Sequence, residues 1–175
     1  MDKDNNKKYM FQEYLVNCED AIDKNMMPAN GRLYRLVHNP TIDKDLKPTS
    51  LWKFESPGKS IDEQFDYIIP EGSPIEDQEA QLGDYLPSFN TTDTGAVAPF
   101  IDRYKKKNSE QRKLFLANKG EIVVAYDVNP KDGRMWTQEN GHVLFQPYEG
   151  FKLDEHVAVD FNYKHLDEYL NEHDE

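Results

Sequence analysis

At 175 residues, with 37% hydrophobic and 12% aromatic side chains, the chain is long enough to bury a real core and lies outside the disordered class; the expectation is one domain over 1–175 with polar tails at about 1–6 and 171–175. Lys+Arg 21 against Asp+Glu 33 give a net charge of −12, which opposes non-specific binding to nucleic acid or anionic membrane. The single cysteine, Cys18, excludes an intramolecular disulfide and a thiolate-rich metal site, and it reads as a small core hydrophobe.

No apolar segment approaches the ~20 residues of a membrane span, and the charged N-terminus lacks a signal-peptide core, so a cytoplasmic site of action is expected. A nucleic-acid target would need a local basic patch. The candidate run is Arg103–Lys107, extended by Arg112 and Lys113, and it reads first as a solvated helix face.

Taken in order, Lys7–Met26 spaces Phe11, Leu15, Cys18 and Ile22 by fours and threes, which predicts an amphipathic helix ended by Pro28 and Asn30-Gly31. Arg32–His38 alternates as a strand, with Leu33, Arg35 and Val37 on one face and Tyr34, Leu36 and His38 on the other. That places Arg35 between two apolar neighbours. Two readings account for it: a guanidinium that grips an anion in a cleft, or a structural ion pair.

Asn39–Lys59 reads as a long loop anchored by Trp52 and Phe54 that would cover a site. Ser60 and Glu63 form a capping-box pattern that opens a short helix through Phe65, Ile68 and Ile69, ending at Pro70. Glu71–Asp84 is acidic and reads as a mobile surface insertion. In Tyr85–Asp93 a run of hydroxyls and amides either binds a polyhydroxyl ligand or caps the next helix. Pro99 predicts that this helix starts near Ala96 or Val97.

Leu114–Leu116 and Glu121–Val128 read as two strands across a tight turn, the second one central. Asn129–Gly133 is a turn. The stretch Arg134–Leu153 carries a polar approach, Gln138 to His142, into Val143-Leu144-Phe145; a hairpin with a second strand at Phe151–Val159 is expected. Glycine often marks irregularities in a strand, so Asn140-Gly141 is a place where a bulge can form and turn Glu139 back. Asp160–Leu170 predicts a last short helix through Phe161, His165 and Leu166. No repeat, phosphate-binding glycine loop or zinc-spaced cluster is present, so no metal is expected.

Three pieces, in this order, resemble the ADP-ribosyltransferase family of the arginine–serine–glutamate type. Leu33-Tyr34-Arg35-Leu36 is similar to its opening Leu-Tyr-Arg-Gly strand. The stretch Leu86–Phe100 is similar to its serine motif followed by a helix, with Ser88 the matching serine. Gly141–Leu153 has the shape of its glutamate leading into Val-Leu-Phe and a Pro/Gly turn.

The resemblance covers Arg32 to Leu153. It implies an α+β fold with a split mixed or antiparallel β-sheet core, an N-terminal helix and short flanking helices. It further implies a mono-ADP-ribosyltransferase, a toxin or phage-conflict factor, that uses NAD as substrate to modify a protein or nucleic acid.

In that reading Arg35 and Ser88 hold NAD, Ser88 also orients the site, and Phe89 or Tyr85 stacks on nicotinamide. The chain departs from the pattern at the acid, because His142 stands where the family has its glutamate. Three possibilities stay open: Glu139 as a displaced acid, His142 in a catalytic or target-positioning role, or a site without transferase activity. In the last case the chain is a degenerate member of the fold that binds a protein partner.

Overall fold

The computed structural model describes residues 8–37 and 68–170. Its architecture is α+β, with a seven-stranded antiparallel sheet and four helices among the described residues. The strands are β1 (Met27–Pro28), β2 (Gly31–Val37), β3 (Ser88–Asn90), β4 (Ile122–Val128), β5 (Gly133–Thr137), β6 (His142–Pro147) and β7 (Lys164–His165), in the order β1-β5-β6-β3-β2-β4-β7. The helices are α1 (Glu19–Asn25), α2 (Ile75–Tyr85), α3 (Asp93–Lys105) and α4 (Ser109–Lys119).

The sheet divides two cores. Leu33, Val37, Phe89, Val124, Tyr126, Val143 and Phe145 pack with Ala21 and Ile22 of α1 and Leu82 and Tyr85 of α2. Leu36 and Val123 pack on the other side with Val97, Ile101 and Tyr104 of α3 and Phe115 of α4. Alternation along β2 thus sends its two faces into two different cores, as its sequence predicts. His38, the loop with Trp52 and Phe54, and the helix opened by Ser60 lie outside the described residues. Of the residues expected at the end of that helix, Ile68 and Ile69 are described: both are coil, Ile68 exposed and Ile69 buried next to Pro70.

Several elements differ from expectation, each for a local reason. The predicted N-terminal helix is broken: a 3-10 turn covers Gln12–Tyr14, and α1 starts only at Glu19. Asn17 adopts φ 70 and donates its side-chain amide to the Ile69 carbonyl at 3.0 Å, a conformation asparagine tolerates better than most residues. Phe11, Leu15, Cys18 and Ile22 are nevertheless all buried, so the periodicity gave burial without giving conformation.

The acidic stretch read as a surface insertion is α2, whose buried stripe is Gln78, Gln81, Leu82 and Tyr85. Its glutamines are satisfied inside. Gln78 accepts the Ala21 N–H at 3.0 Å, serving the first turn of α1, and Gln81 donates to the Tyr14 carbonyl at 3.0 Å.

Leu114–Leu116 is helical, in α4, because Asn108 and Gln111 form a reciprocal capping box. The start of α3 is at Asp93, with Pro99 inside it on the exposed side; Thr92 caps the Gly95 N–H and sets the start. Phe151–Val159 forms a 3-10 turn, Leu153–His156, and a single bridge from Val157 to Tyr126. The hairpin partner of β6 is β5, upstream of it. The predicted C-terminal helix is β7 followed by a 3-10 turn, Leu166–Tyr169, in which His165 and Glu168 form the cap. Glu121–Val128 and Asn129–Gly133 are the strand and turn expected, with β4 paired on both edges.

Burial pushes the Cys18 thiol up to about 11, with Glu19 adding to the shift. A folded value above the unfolded one means that stability falls as pH rises from about 9 through 11, since the unfolded chain sheds a proton that the folded chain retains. Cys18 is therefore expected to resist a thiol reagent at pH 8 until the chain unfolds; rapid stoichiometric labelling of the native protein would contradict its placement.

Candidate functional site

Register brings the three motifs together. Tyr34 of β2 pairs with Asn90 of β3, and Asn90 pairs with His142 of β6. Ser88 pairs with Leu144, and Phe89 with Val143. The strands carrying Arg35, Ser88 and His142 are thus immediate neighbours, in the order β6-β3-β2.

Directly paired residues in an antiparallel ladder share a face, and successive residues alternate. Tyr34, Ser88, Asn90 and His142 therefore lie on one side. Arg35 lies on the other, beside Phe89 and one residue in from the Tyr34–Asn90 pair that ends β3. Arg35 is 7% exposed, and its guanidinium stands 5.2 Å from the centre of the Phe89 ring.

The rings assigned to nicotinamide are core residues. Phe89 is in edge contact with Tyr126 and Phe145, and Tyr85 stacks on Tyr14 at 5.1 Å between centres. A stacking role for either would require it to leave those partners.

The polar approach to β6 is the turn of the β5–β6 hairpin. The Gln138 N–H donates to the His142 carbonyl at 2.8 Å, and the Gly141 N–H donates to the Gln138 carbonyl at 3.0 Å. Glu139 and Asn140 form the exposed tip. The Asn140 side chain accepts the His142 N–H at 3.1 Å. In place of a bulge the chain makes a turn here, with Gly141 at φ 86. Strand alternation does not reach Glu139, so its direction is not tied to either face of β6.

Against this turn lies the end of β3. The Thr91 N–H donates to the Gly141 carbonyl at 2.9 Å. Asn90 Oδ1 accepts the Thr92 N–H at 3.1 Å, and Thr92 Oγ1 accepts the Gly95 N–H at 3.0 Å. Trp136 through Asn140 border a shallow open depression beside the turn. The lip thus gathers hydroxyls, amides and two carboxylates, Glu139 and Asp93, from β3, the hairpin turn and the start of α3. The hydroxyl run of Thr91 and Thr92 was visible in sequence, where capping and ligand-binding readings coexist; Thr92 does cap. Trp136 carried no signal, because its role depends on the hairpin.

A second cluster lies elsewhere, in an open cleft lined by Lys131, Asp132, Phe151 and Lys152. His156 stacks on Phe151, with Nε2 3.0 Å from Asp132 and Nδ1 2.9 Å from the Lys152 carbonyl. Both ring nitrogens are engaged, so this histidine is a clasp and not a poised base. Among the described residues no group of histidine, cysteine or carboxylate side chains is arranged to hold a metal ion, and no helix is long and apolar enough to cross a membrane. No family model, characterised protein or solved structure matches the chain.

Close packing at the lip leaves no room for a side chain at two glycines. A Cβ on Gly95 would land on Asn90 Oδ1 and 2.7 Å from Thr92 Oγ1; one on Gly141 would meet Thr91 Oγ1 at 2.7 Å at a left-handed φ. Gly141→Ala is expected to destabilise by about 1–3 kcal/mol, read from chemical denaturation. A loss below ~0.5 kcal/mol would show that the turn is not held as described.

Proposed function

We propose that the chain is an ADP-ribosyltransferase-like protein that binds NAD across the β2–β3–β6 end of its sheet and acts in the cytoplasm on a protein or nucleic-acid target, in the manner of a toxin or phage-conflict factor. The observation that supports this most is the adjacency of three motifs that lie far apart in sequence. The resemblance supplies the chemistry, and the register makes the three strands neighbours, with Arg35 on one face and Ser88 and His142 on the other.

Cleaving the nicotinamide–ribose bond releases neutral nicotinamide and builds positive charge on the ribose, which a nucleophile of the target then captures. Such a site needs an anion grip and a carboxylate near the sugar. Arg35 supplies the grip for the pyrophosphate. Of the two candidates for the acid, Glu139 is favoured, because it sits in a turn and is free of the face that holds His142. A histidine acts as base but does not stabilise an oxocarbenium as a carboxylate does. Ser88 and His142 then orient and support the lip from the opposite side.

A second reading draws on that same face relation. Ser88 and His142 share the side away from Arg35, which favours a degenerate member of the fold that engages a protein partner without transfer.

Calorimetry with NAD and transfer from labelled NAD separate the two readings. The transferase reading expects NAD binding that Arg35→Ala weakens roughly tenfold or more, as expected for loss of a charge-assisted hydrogen bond. It also expects Glu139→Gln to spare binding and folding but to cut transfer by about 100-fold or more. No NAD binding by the intact, folded chain overturns it. NAD binding with no transfer to any lysate component favours the second reading.

A further inference from the structure

Six of the chain's cations fall within Arg103–Lys113, where Glu110 is the single carboxylate. In sequence this run reads as a solvated helix face. The fold does more than solvate it, because it straddles the end of α3 and the start of α4 and is folded back on itself. Arg112 donates from Nε to the Tyr104 carbonyl at 3.2 Å and from a terminal nitrogen to the Lys105 carbonyl at 3.1 Å, which locks α4 onto the C-terminus of α3.

Arg103 lies against the Phe100 and Phe115 rings, and Lys107 against Phe115. Lys105, Lys106 and Lys113 are exposed around this corner. The carboxylates nearby are Asp102 and Glu110 on the same helices and Asp167, which accepts from the Tyr104 hydroxyl.

We infer that this α3–α4 corner is a docking site for a nucleic-acid backbone. The rest of the chain is strongly acidic, so a partner held here must offer dense negative charge over a short reach. Screening over about 8 Å at physiological salt weakens the repulsion from carboxylates elsewhere on the chain. A phosphodiester chain meets that demand, with one charge per ~1.7 Å along a duplex.

The corner also stands in a definite relation to the lip. Helix α3 runs from Thr92, at the lip, to Lys105, at the corner; its 13 residues at 1.5 Å each span about 20 Å. The helix therefore acts as a ruler between the backbone grip and the hairpin turn. Only this last relation rests on the proposed NAD chemistry, for which it selects nucleic acid as the target class; the docking itself does not.

The test is fluorescence anisotropy with a short labelled single-stranded RNA and a short DNA duplex, without NAD, across a salt series. Binding to either probe that weakens steeply with salt is expected. The triple variant Lys105→Glu, Lys106→Glu, Lys113→Glu should lose at least about tenfold in affinity at low salt. Lys131→Glu with Lys152→Glu, in the separate cleft, should lose none. Circular dichroism melting of each variant establishes that it is folded. No binding at low salt, or equal affinity of the triple variant, overturns the inference. So does competition by polyglutamate as effective as by RNA, which would mark an acidic protein as the partner, or binding to anionic vesicles in place of the nucleic acids. Because NAD is absent, these outcomes are independent of whether the NAD reading survives.

Discussion

A guanidinium taken out of water on the core side of a β-strand is the constraint around which this fold is arranged. Arg35 lies between Leu33 and Val37 on the face that joins the larger core, and its charge rests over Phe89 on the adjacent strand. Burying a cation costs several kcal/mol unless partners compensate it, so the groups around Arg35 bear on the stability of the whole sheet. Phe89 is held in turn by edge contacts to Tyr126 and Phe145, which tie β3 to β4 and β6. The charge on β2 is thereby coupled through one ring to the strands on either side. In the proposed function the same coupling presents the guanidinium at a fixed position, one residue in from the end of β3.

That sheet end is built by close approach. Gly141 closes the β5–β6 turn, Thr91 bonds to its carbonyl, and Gly95 lets the first turn of α3 come down onto Asn90. Polar groups from three sequence regions are thereby brought to one lip without filling it. Glu139 and Asn140 project from the tip, while His142 is fixed as the first residue of a strand. The distinction matters chemically: His142 is bound by strand geometry to the side away from Arg35, and the nearby carboxylate of Glu139 is not. In the proposed function a displaced acid needs backbone that is free of strand alternation, and a hairpin turn is such a place.

The sequence made some of this legible and hid the rest for identifiable reasons. The strands β2 and β4 announced themselves through alternation and β-branched content, and the faces of β2 were assigned correctly. Helix α2 was hidden because two of the four positions in its buried stripe are Gln78 and Gln81; hydrophobic periodicity does not register glutamines that are buried by hydrogen bonding. Leu114-Phe115-Leu116 of helix α4 looks like a strand when read alone, although the Asn108/Gln111 capping box upstream is a helix signal. The N-terminal helix was over-extended because its periodicity described burial, and Asn17 breaks it through a bond to a residue distant in sequence. At the candidate site the motif order was visible, but the opposite facing of Arg35 and His142 was not, since it follows from the pairing of Tyr34, Asn90 and His142 across three strands.

The most direct test of the account is backbone amide chemical-shift mapping of the isotopically labelled chain titrated with NAD. The account predicts perturbations concentrated at Arg35, Phe89, Thr91 and Glu139–His142, with Lys131, Asp132 and His156 unaffected. Perturbations confined to that separate cleft, or none at saturating NAD, would contradict it.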